Sequence, residues 1–180
     1  GVGIPATIFH LTKKLSKKKY DLVIQAGIAG SFTDILKKGS VVFIERDSFG
    51  DIGISENGNF KTLFETGFVN ETDFPFTNGW LVNPNKHDKY SHLSTAIGVT
   101  VNKITDDKEQ IKKLVEKFNP GIESMEGAAL HYVCLQQKVN FLQLRCISNI
   151  VGERDKVKWH LKEAIGNLNI ELKKLIQEFI

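Results

Sequence analysis

Cysteine, proline and methionine are scarce: the 180 residues hold two, four and one of them. Two cysteines cannot staple a scaffold, and Cys134 and Cys146 stand isolated among apolar neighbours. They read as buried thiols rather than as a disulfide, a metal pair or a nucleophile. No apolar run approaches the ~18 residues of a membrane-spanning helix, and no positively charged start precedes a short apolar stretch as in a signal peptide. The expected setting is the cytoplasm, with no membrane partner. Charge of one sign is also in short supply, since the net charge is only +3. The five lysines between Lys13 and Lys19 carry no interleaved aromatics, so they read as a solvated helix end and not as a nucleic-acid patch. GxSxG, HExxH and CxxC patterns are absent. His87 and His92 lie in a loop without a third ligand beside them, which leaves no expected metal site.

What is present is an ordinary globular composition, 41% hydrophobic and 25% charged. A chain of this length buries roughly two-thirds of its unfolded surface without covalent staples. Ile4, Ile8, Leu11 and Leu15 predict an amphipathic helix opened by a turn with Gly1 and Gly3. Residues 21–26 read as a buried strand, 27–31 as a small-residue turn at its carboxyl end, and 41–45 as a second strand. Between Asp47 and Asn78 no period is sustained, and the stretch reads as a surface excursion, either a lid or an interface element. Trp80 to Val82 predicts a short strand, and the alternation from Ala96 to Ile104 a half-buried one. Asp106 and Glu109 have capping-box spacing ahead of a helix whose inner face is Ile111, Leu114, Val115 and Phe118. A short strand at 121–124 leads into a helix over 125–137. Residues 140–147 form another buried strand, and a long helix starts at about Lys156, with Trp159, Leu168, Leu175 and Phe179 among its apolar positions. Strands alternating with helices imply a single domain of the α/β class, three layers around a twisted, mixed and largely parallel sheet.

Such sheets bind ligands beyond the carboxyl ends of their strands. Glu126 is expected in the first turn of its helix, where the helix N-terminus favours an anion. It is either a surface glutamate that complements the dipole or a carboxylate that accepts hydrogen bonds from adjacent hydroxyls such as those of a ribose. Arg145 sits among Phe141, Leu142, Leu144 and Ile147, where an unpaired guanidinium would be costly. Glu126 is its candidate partner, in an ion pair that is either structural or functional. Gly1-x-Gly3 alone is too weak for a phosphate cradle.

Glu123-Ser124-Met125-Glu126-Gly127-Ala128-Ala129, followed by Leu144-Arg145-Cys146-Ile147-Ser148-Asn149, resembles the paired signature of the nucleoside phosphorylase and nucleosidase superfamily. Gln25 to Ser31 resembles its small-residue turn. The run from Ser148 to Trp159 and the Asp51-Ile52-Gly53 loop most resemble the futalosine-cleaving hydrolases within it.

The resemblance implies a cofactor-free enzyme that hydrolyses the N-ribosidic bond of a 6-oxopurine nucleoside, futalosine being the expected substrate. Glu126 would grip the ribose 2′ and 3′ hydroxyls with Met125 against the sugar face, and Arg145 would hold water and orient Glu126. Ser148 and Asn149 would read the purine edge, Trp159 would cover the base or the tail, and Ala29 and Gly30 would line the pocket with backbone. The segment from Val101 to Thr105, Ile104 with it, would supply the opposite wall. An aspartate in place of Asn149 would suit adenine, whereas an amide suits a 6-oxopurine. The alternatives are a methylthioadenosine/S-adenosylhomocysteine nucleosidase, a purine nucleoside phosphorylase, and an inactive nucleoside-binding domain. The resemblance also implies a homodimer or larger homo-oligomer. It places the water-activating glutamate on a strand ahead of Gly1, so that Glu45 and Glu123 are poor substitutes for it and this chain should bind better than it cleaves.

Overall fold

The computed structural model describes residues 1–85 and 91–177. The elements run α1 (Ile4–Leu15), β1 (Leu22–Ser31), β2 (Val41–Asp47), β3 (Gly53–Glu56), β4 (Asn59–Thr62), β5 (Leu81–Val82), β6 (Ser94–Thr100), α2 (Lys108–Phe118), β7 (Ile122–Ser124), α3 (Gly127–Gln136), β8 (Asn140–Ile150) and α4 (Leu161–Gln177). Six strands form a mixed sheet in the order β5-β2-β6-β7-β1-β8, and the start of β2 also pairs with β8. Its longest ladder is the parallel β1–β8 pair, and β2–β6 and β6–β7 are parallel as well. No helix among the described residues is long and apolar enough to cross a membrane.

The two faces of β8 explain the layering. Leu142, Leu144 and Cys146 pack with Phe43, Ala164, Leu168 and Leu175, so alternate residues of the strand bury the inner stripe of α4. Phe141, on the opposite face, packs with Leu130 and Cys134 of α3 and with Leu11 and Leu15 of α1. Gln143 and Arg145 share the face of Phe141 by the same alternation. Two polar side chains therefore point from a buried strand toward α3.

Several boundaries differ from those the sequence predicts. Residues 27–31 continue β1 instead of turning, because a full parallel ladder with β8 claims their backbone, with a register shift between Ala29 and Gly30. Ser148 and Asn149 likewise lie within β8. The excursion after Asp47 contains the β3–β4 hairpin, whose tip Asn57-Gly58 adopts positive φ at both residues. An Asn-Gly pair is a hairpin signal. The strand predicted to reach Ile104 ends at Thr100, since the Asp51 carboxylate accepts the backbone N–H groups of Asn102 and Lys103 and turns the chain away. The helix cap is Asp107 and not Asp106, for it is the Asp107 carboxylate that accepts from Glu109 and Gln110 N–H. Glu126 occupies the N-cap position of α3 and not its first turn. Lys156–Lys158 is a separate short 3-10 turn, and Trp159 precedes α4. His87 and Phe179 lie outside the described residues. His92 sits against Glu171 at 3.1 Å.

Candidate functional site

The first turn of α3 is capped by side chains from neighbouring strands. Ser124 Oγ accepts the Gly127 N–H at 3.2 Å, and Thr100 Oγ1 accepts the Ala128 N–H at 2.7 Å. These hydroxyls do what an N-cap side chain ordinarily does. Glu126, at the N-cap position itself, makes no cap hydrogen bond, and its carboxylate is free to reach elsewhere.

It reaches two distant segments. Gly3, which opens α1 with φ of 87°, donates its N–H to Glu126 Oε1 at 3.0 Å. From β8, Arg145 Nη1 approaches Glu126 Oε2 at 3.4 Å. Arg145 is only 3% exposed, so water cannot solvate it and its charge depends on partners. Nη2 donates to Gln25 Oε1 at 2.8 Å and Nη1 also faces the Ile28 carbonyl, while Nε has no partner among the described residues. A side chain at position 27 would overlap the guanidinium, which is why β1 carries a glycine there. Burial pulls the Arg145 pKa down, and the neighbouring charges of Glu126 and Asp47 oppose that pull.

Beneath this pair lies Asp47, fully buried at the end of β2. Its Oδ1 accepts from Thr100 Oγ1 at 2.9 Å and its Oδ2 from Gln143 Nε2 at 3.2 Å. Burial pushes its pKa up to about 7, against those hydrogen bonds and the charge of Arg145. Through Thr100, Asp47 therefore ties the β2 and β6 ends to the first turn of α3.

Asn149 stands across the sheet, 8% exposed. Its Nδ2 donates to the Ile150 carbonyl at 2.9 Å, and its Oδ1 accepts from Ser148 Oγ at 2.7 Å. Ser148 is itself buried and also touches the Ala29 carbonyl at 3.3 Å, so its hydroxyl orients the amide. Gly30 is the register partner of Asn149, and buried Ala29 lies beside it. Met125 is half-buried next to Glu126. Trp159, also half-buried, donates Nε1–H to the Glu153 carbonyl at 2.9 Å, which pins the loop after β8. Ile104 is half-buried beyond the end of β6.

A cavity of about 770 Å³ opens between the β3–β4 hairpin, α2 and the segment after β6. Glu126, Arg145, Ser148, Asn149, Ile104 and Trp159 do not line it, whereas Val101, Lys103 and Thr105 of the segment expected as the opposite wall do. Glu123 and Asp51 line it as well. Four contributors escaped the sequence reading: Gly3 as a donor to Glu126, Gln25, Asp47 and Thr100. Gln25 and Gln143 did carry a signal, since each is a polar residue within a run expected to be buried.

A mixed α/β sheet with a carboxylate at a helix N-cap, a guanidinium buried within β8 and an amide near the end of that strand carries polar groups on an apolar scaffold. The chain belongs to the phosphorylase superfamily, whose family model matches residues 1–179. Among individual proteins, it is 26% identical to the futalosine hydrolase of Thermus thermophilus, over 99% of this chain and 79% of that protein. It is 30% identical to the futalosine hydrolase of Streptomyces coelicolor, over 89% of this chain and 67% of the relative. The solved structure of futalosine hydrolase from Helicobacter pylori shares the fold, with a TM-score of 0.80 at 19% identity, over 98% of this chain and 76% of that one. Weaker sequence matches are to 5′-methylthioadenosine/S-adenosylhomocysteine nucleosidases.

Proposed function

We propose that this chain is an N-ribosyl hydrolase for a 6-oxopurine nucleoside, cleaving futalosine to hypoxanthine and dehypoxanthine futalosine. The observation that carries the reading is the state of Asn149. A primary amide has two N–H donors and an oxygen with two lone pairs. The Ile150 carbonyl takes one donor and Ser148 Oγ fills one lone pair, leaving one donor and one acceptor at the strand end. A neutral donor for O6 and an acceptor for a protonated N7 match a 6-oxopurine, whereas the 6-amino group of adenine opposes the donor. The similarity to proteins named futalosine hydrolase supports the same choice.

Breaking an N-ribosidic bond passes through an oxocarbenium-like state, so groups that bind tighter as positive charge grows on the sugar lower the barrier. Each oxygen of the Glu126 carboxylate holds one protein donor, from Gly3 or Arg145, and retains lone pairs for the 2′ and 3′ hydroxyls. As C1′ separates from N9, those hydrogen bonds strengthen. Arg145, enclosed by β1 and α3, acts as a positioning residue that fixes the Glu126 carboxylate. Met125 packs on the sugar face, Ala29 and Gly30 form the pocket floor, and Ile104 and Trp159 close its sides. The 180 residues act as one nucleosidase-like domain without a cofactor, assembled as a homodimer or larger homo-oligomer through the excursion after Asp47.

The test measures base release from futalosine and from methylthioadenosine, with and without inorganic phosphate, by this chain alone and with whatever residues its gene encodes ahead of Gly1. Phosphate-independent release of hypoxanthine is expected, with Asn149→Asp shifting the preference toward the adenine nucleoside by about tenfold or more. Faster cleavage of methylthioadenosine, a requirement for phosphate, or nucleoside binding without turnover by both forms each overturns the reading.

A further inference from the structure

Three buried side-chain atoms have no hydrogen-bond partner among the described residues, and all belong to residues gathered around Asp47: His131 Nε2, Gln143 Oε1 and Arg145 Nε. Gln143 donates Nε2–H to Asp47 Oδ2 at 3.2 Å, and its side chain also adjoins the His131 ring. His131 and Gln143 are fully buried. The other ring nitrogen, Nδ1, lies 2.8 Å from the Leu81 carbonyl and can only donate there, so Nε2 of the neutral ring is a bare acceptor. With Asp47 ionised, the Gln143 oxygen and His131 Nε2 are two buried acceptors without a donor, an unfavourable arrangement. One proton on Asp47 satisfies both. With the Gln143 amide turned over, its nitrogen donates to His131 Nε2 and its oxygen accepts from the protonated carboxyl.

The backbone makes room for this carboxyl. A Cβ at Gly98 of β6 would lie 2.6 Å from Asp47 Oδ2, and one at Gly127 of α3 would overlap both Asp47 and Gln143. Gly127 directly follows Glu126, and the next residue, Ala128, donates its N–H to Thr100 Oγ1, which in turn donates to Asp47 Oδ1. Asp47 therefore packs against the turn that carries Glu126, and its charge acts on Arg145, the partner of Glu126.

We propose that Asp47 is a positioning residue for Glu126, protonated in the binding-competent chain and tied through Gln143 to His131, so that Arg145 is left to Glu126 alone. The inference rests on the ribose-binding reading of Glu126 above and adds the group that controls it. Once Asp47 loses its proton, two carboxylates compete for one guanidinium, and the grip on the ribose loosens.

The charged or titratable groups that face Asp47 are Arg145 from β8 and, across Gln143, His131 from α3. β5 and β6 carry none, and on β2 itself Glu45 is exposed and Arg46 stacks on Trp80. Burial moves Asp47 up to about 7 and His131 down to about 4, so near neutrality Asp47 exchanges its proton while His131 stays uncharged. Binding of a ribonucleoside therefore weakens as pH rises through about 7.

Two measurements test this. Nitrogen-15 NMR of the His131 ring reads the relay: below pH 7 Nε2 should show as a hydrogen-bonded acceptor, its resonance should move as the pH passes about 7, and that movement should be absent in Asp47→Asn. Calorimetric titration with inosine and 2′,3′-dideoxyinosine, on either side of pH 7, reads the link to Glu126. The wild-type chain should bind inosine about fivefold or more tighter on the acid side. The dideoxynucleoside, which lacks the hydroxyls that Glu126 holds, should show no such gap, and Asp47→Asn should bind inosine equally on both sides. A purely structural Asp47 would instead weaken binding by the variant at every pH. A His131 resonance indifferent to pH, equal wild-type binding of inosine on both sides, or a gap shared by the dideoxynucleoside or by a folded Asp47→Asn overturns the role of Asp47; the wild-type results decide the matter if the variant does not fold. Failure of inosine to bind at any pH overturns instead the nucleoside reading beneath it, and the histidine resonance then decides the relay.

Discussion

The cluster around Glu126 and the excursion between Asp47 and Asn78 are both rich in polar residues, yet they are built in opposite ways. In the cluster, Glu126 is held by Gly3 and Arg145, residues 123 and 19 positions away in the chain, and Arg145 meets Gln25 across 120 positions. Gly3 and Glu126 sit at helix N-termini, and Gln25 and Arg145 lie within β1 and β8. In the excursion, the side-chain bonds are either local, as Lys61 with Glu56, Asn70 with Asp73 and Thr62 with Glu65, or long-range but exposed, as Asp51 with Asn102 and Glu65 with Lys117. Most of those groups are open to solvent. Buried contacts fix geometry to the accuracy that catalysis requires, whereas exposed ones leave a segment free to adapt.

The largest break in that comparison should come from the cluster. Arg145→Ala leaves the Glu126 carboxylate and Gln25 without their partner and is expected to cost about 3 kcal/mol of stability or more, measured by urea denaturation. Glu126→Gln keeps the side-chain volume, so its expected effect is on turnover, a loss of about 10²–10³-fold in kcat with much less change in stability. Should the two substitutions destabilise equally while turnover survives in Glu126→Gln, the cluster would be a structural device and nothing more.

Asp47 gives an intermediate effect with a definite sign. An aspartate in water titrates at 3.8, and burial in the folded chain moves Asp47 to about 7. Between those limits the folded chain binds a proton that the unfolded chain does not. Stability from this group is thus highest at the acid end and declines as pH rises toward 7, by at most about 1.4 kcal/mol per pH unit. Asp47→Asn should flatten that slope, with the advantage over wild type greatest above pH 7, as read from thermal melts across the range. A wild-type slope that persists unchanged in Asp47→Asn would show that another group titrates there.

The smallest effect belongs to the excursion. Lys61→Ala removes an ion pair whose members are both about half exposed, and a change below about 0.5 kcal/mol is expected. A loss of several times that value would mean that the hairpin is held as rigidly as the cluster.

Much of this organisation was legible in the residues. Ile4, Ile8, Leu11 and Leu15 gave α1, the apolar run around Phe141 gave β8, and a lone arginine inside that run demanded an anion, correctly matched to Glu126. The boundaries were less legible where two signals competed. Gly27 to Ser31 reads locally as a turn because small residues favour turns, but the β8 ladder holds it extended. The Asn57-Gly58 hairpin carried its own signal and was masked by the irregular stretch around it. Asp47 and Thr100 gave no local hint, since their role depends on which strand ends meet.

Periodicity and burial by themselves determined the α/β class, the elements that form the core, and the need of Arg145 for a carboxylate, because each follows from interactions within a few residues or from the cost of burying a charge. Tertiary structure alone decided the rest. It made Gly3 a donor to Glu126, let Ser124 and Thr100 cap α3 in place of Glu126, and set Asp47 between Thr100 and Gln143. The physical reason is strand register: one residue of slip in the β2–β6–β7 ladders would turn those strand side chains to the other face, and nothing local in the sequence specifies that alignment.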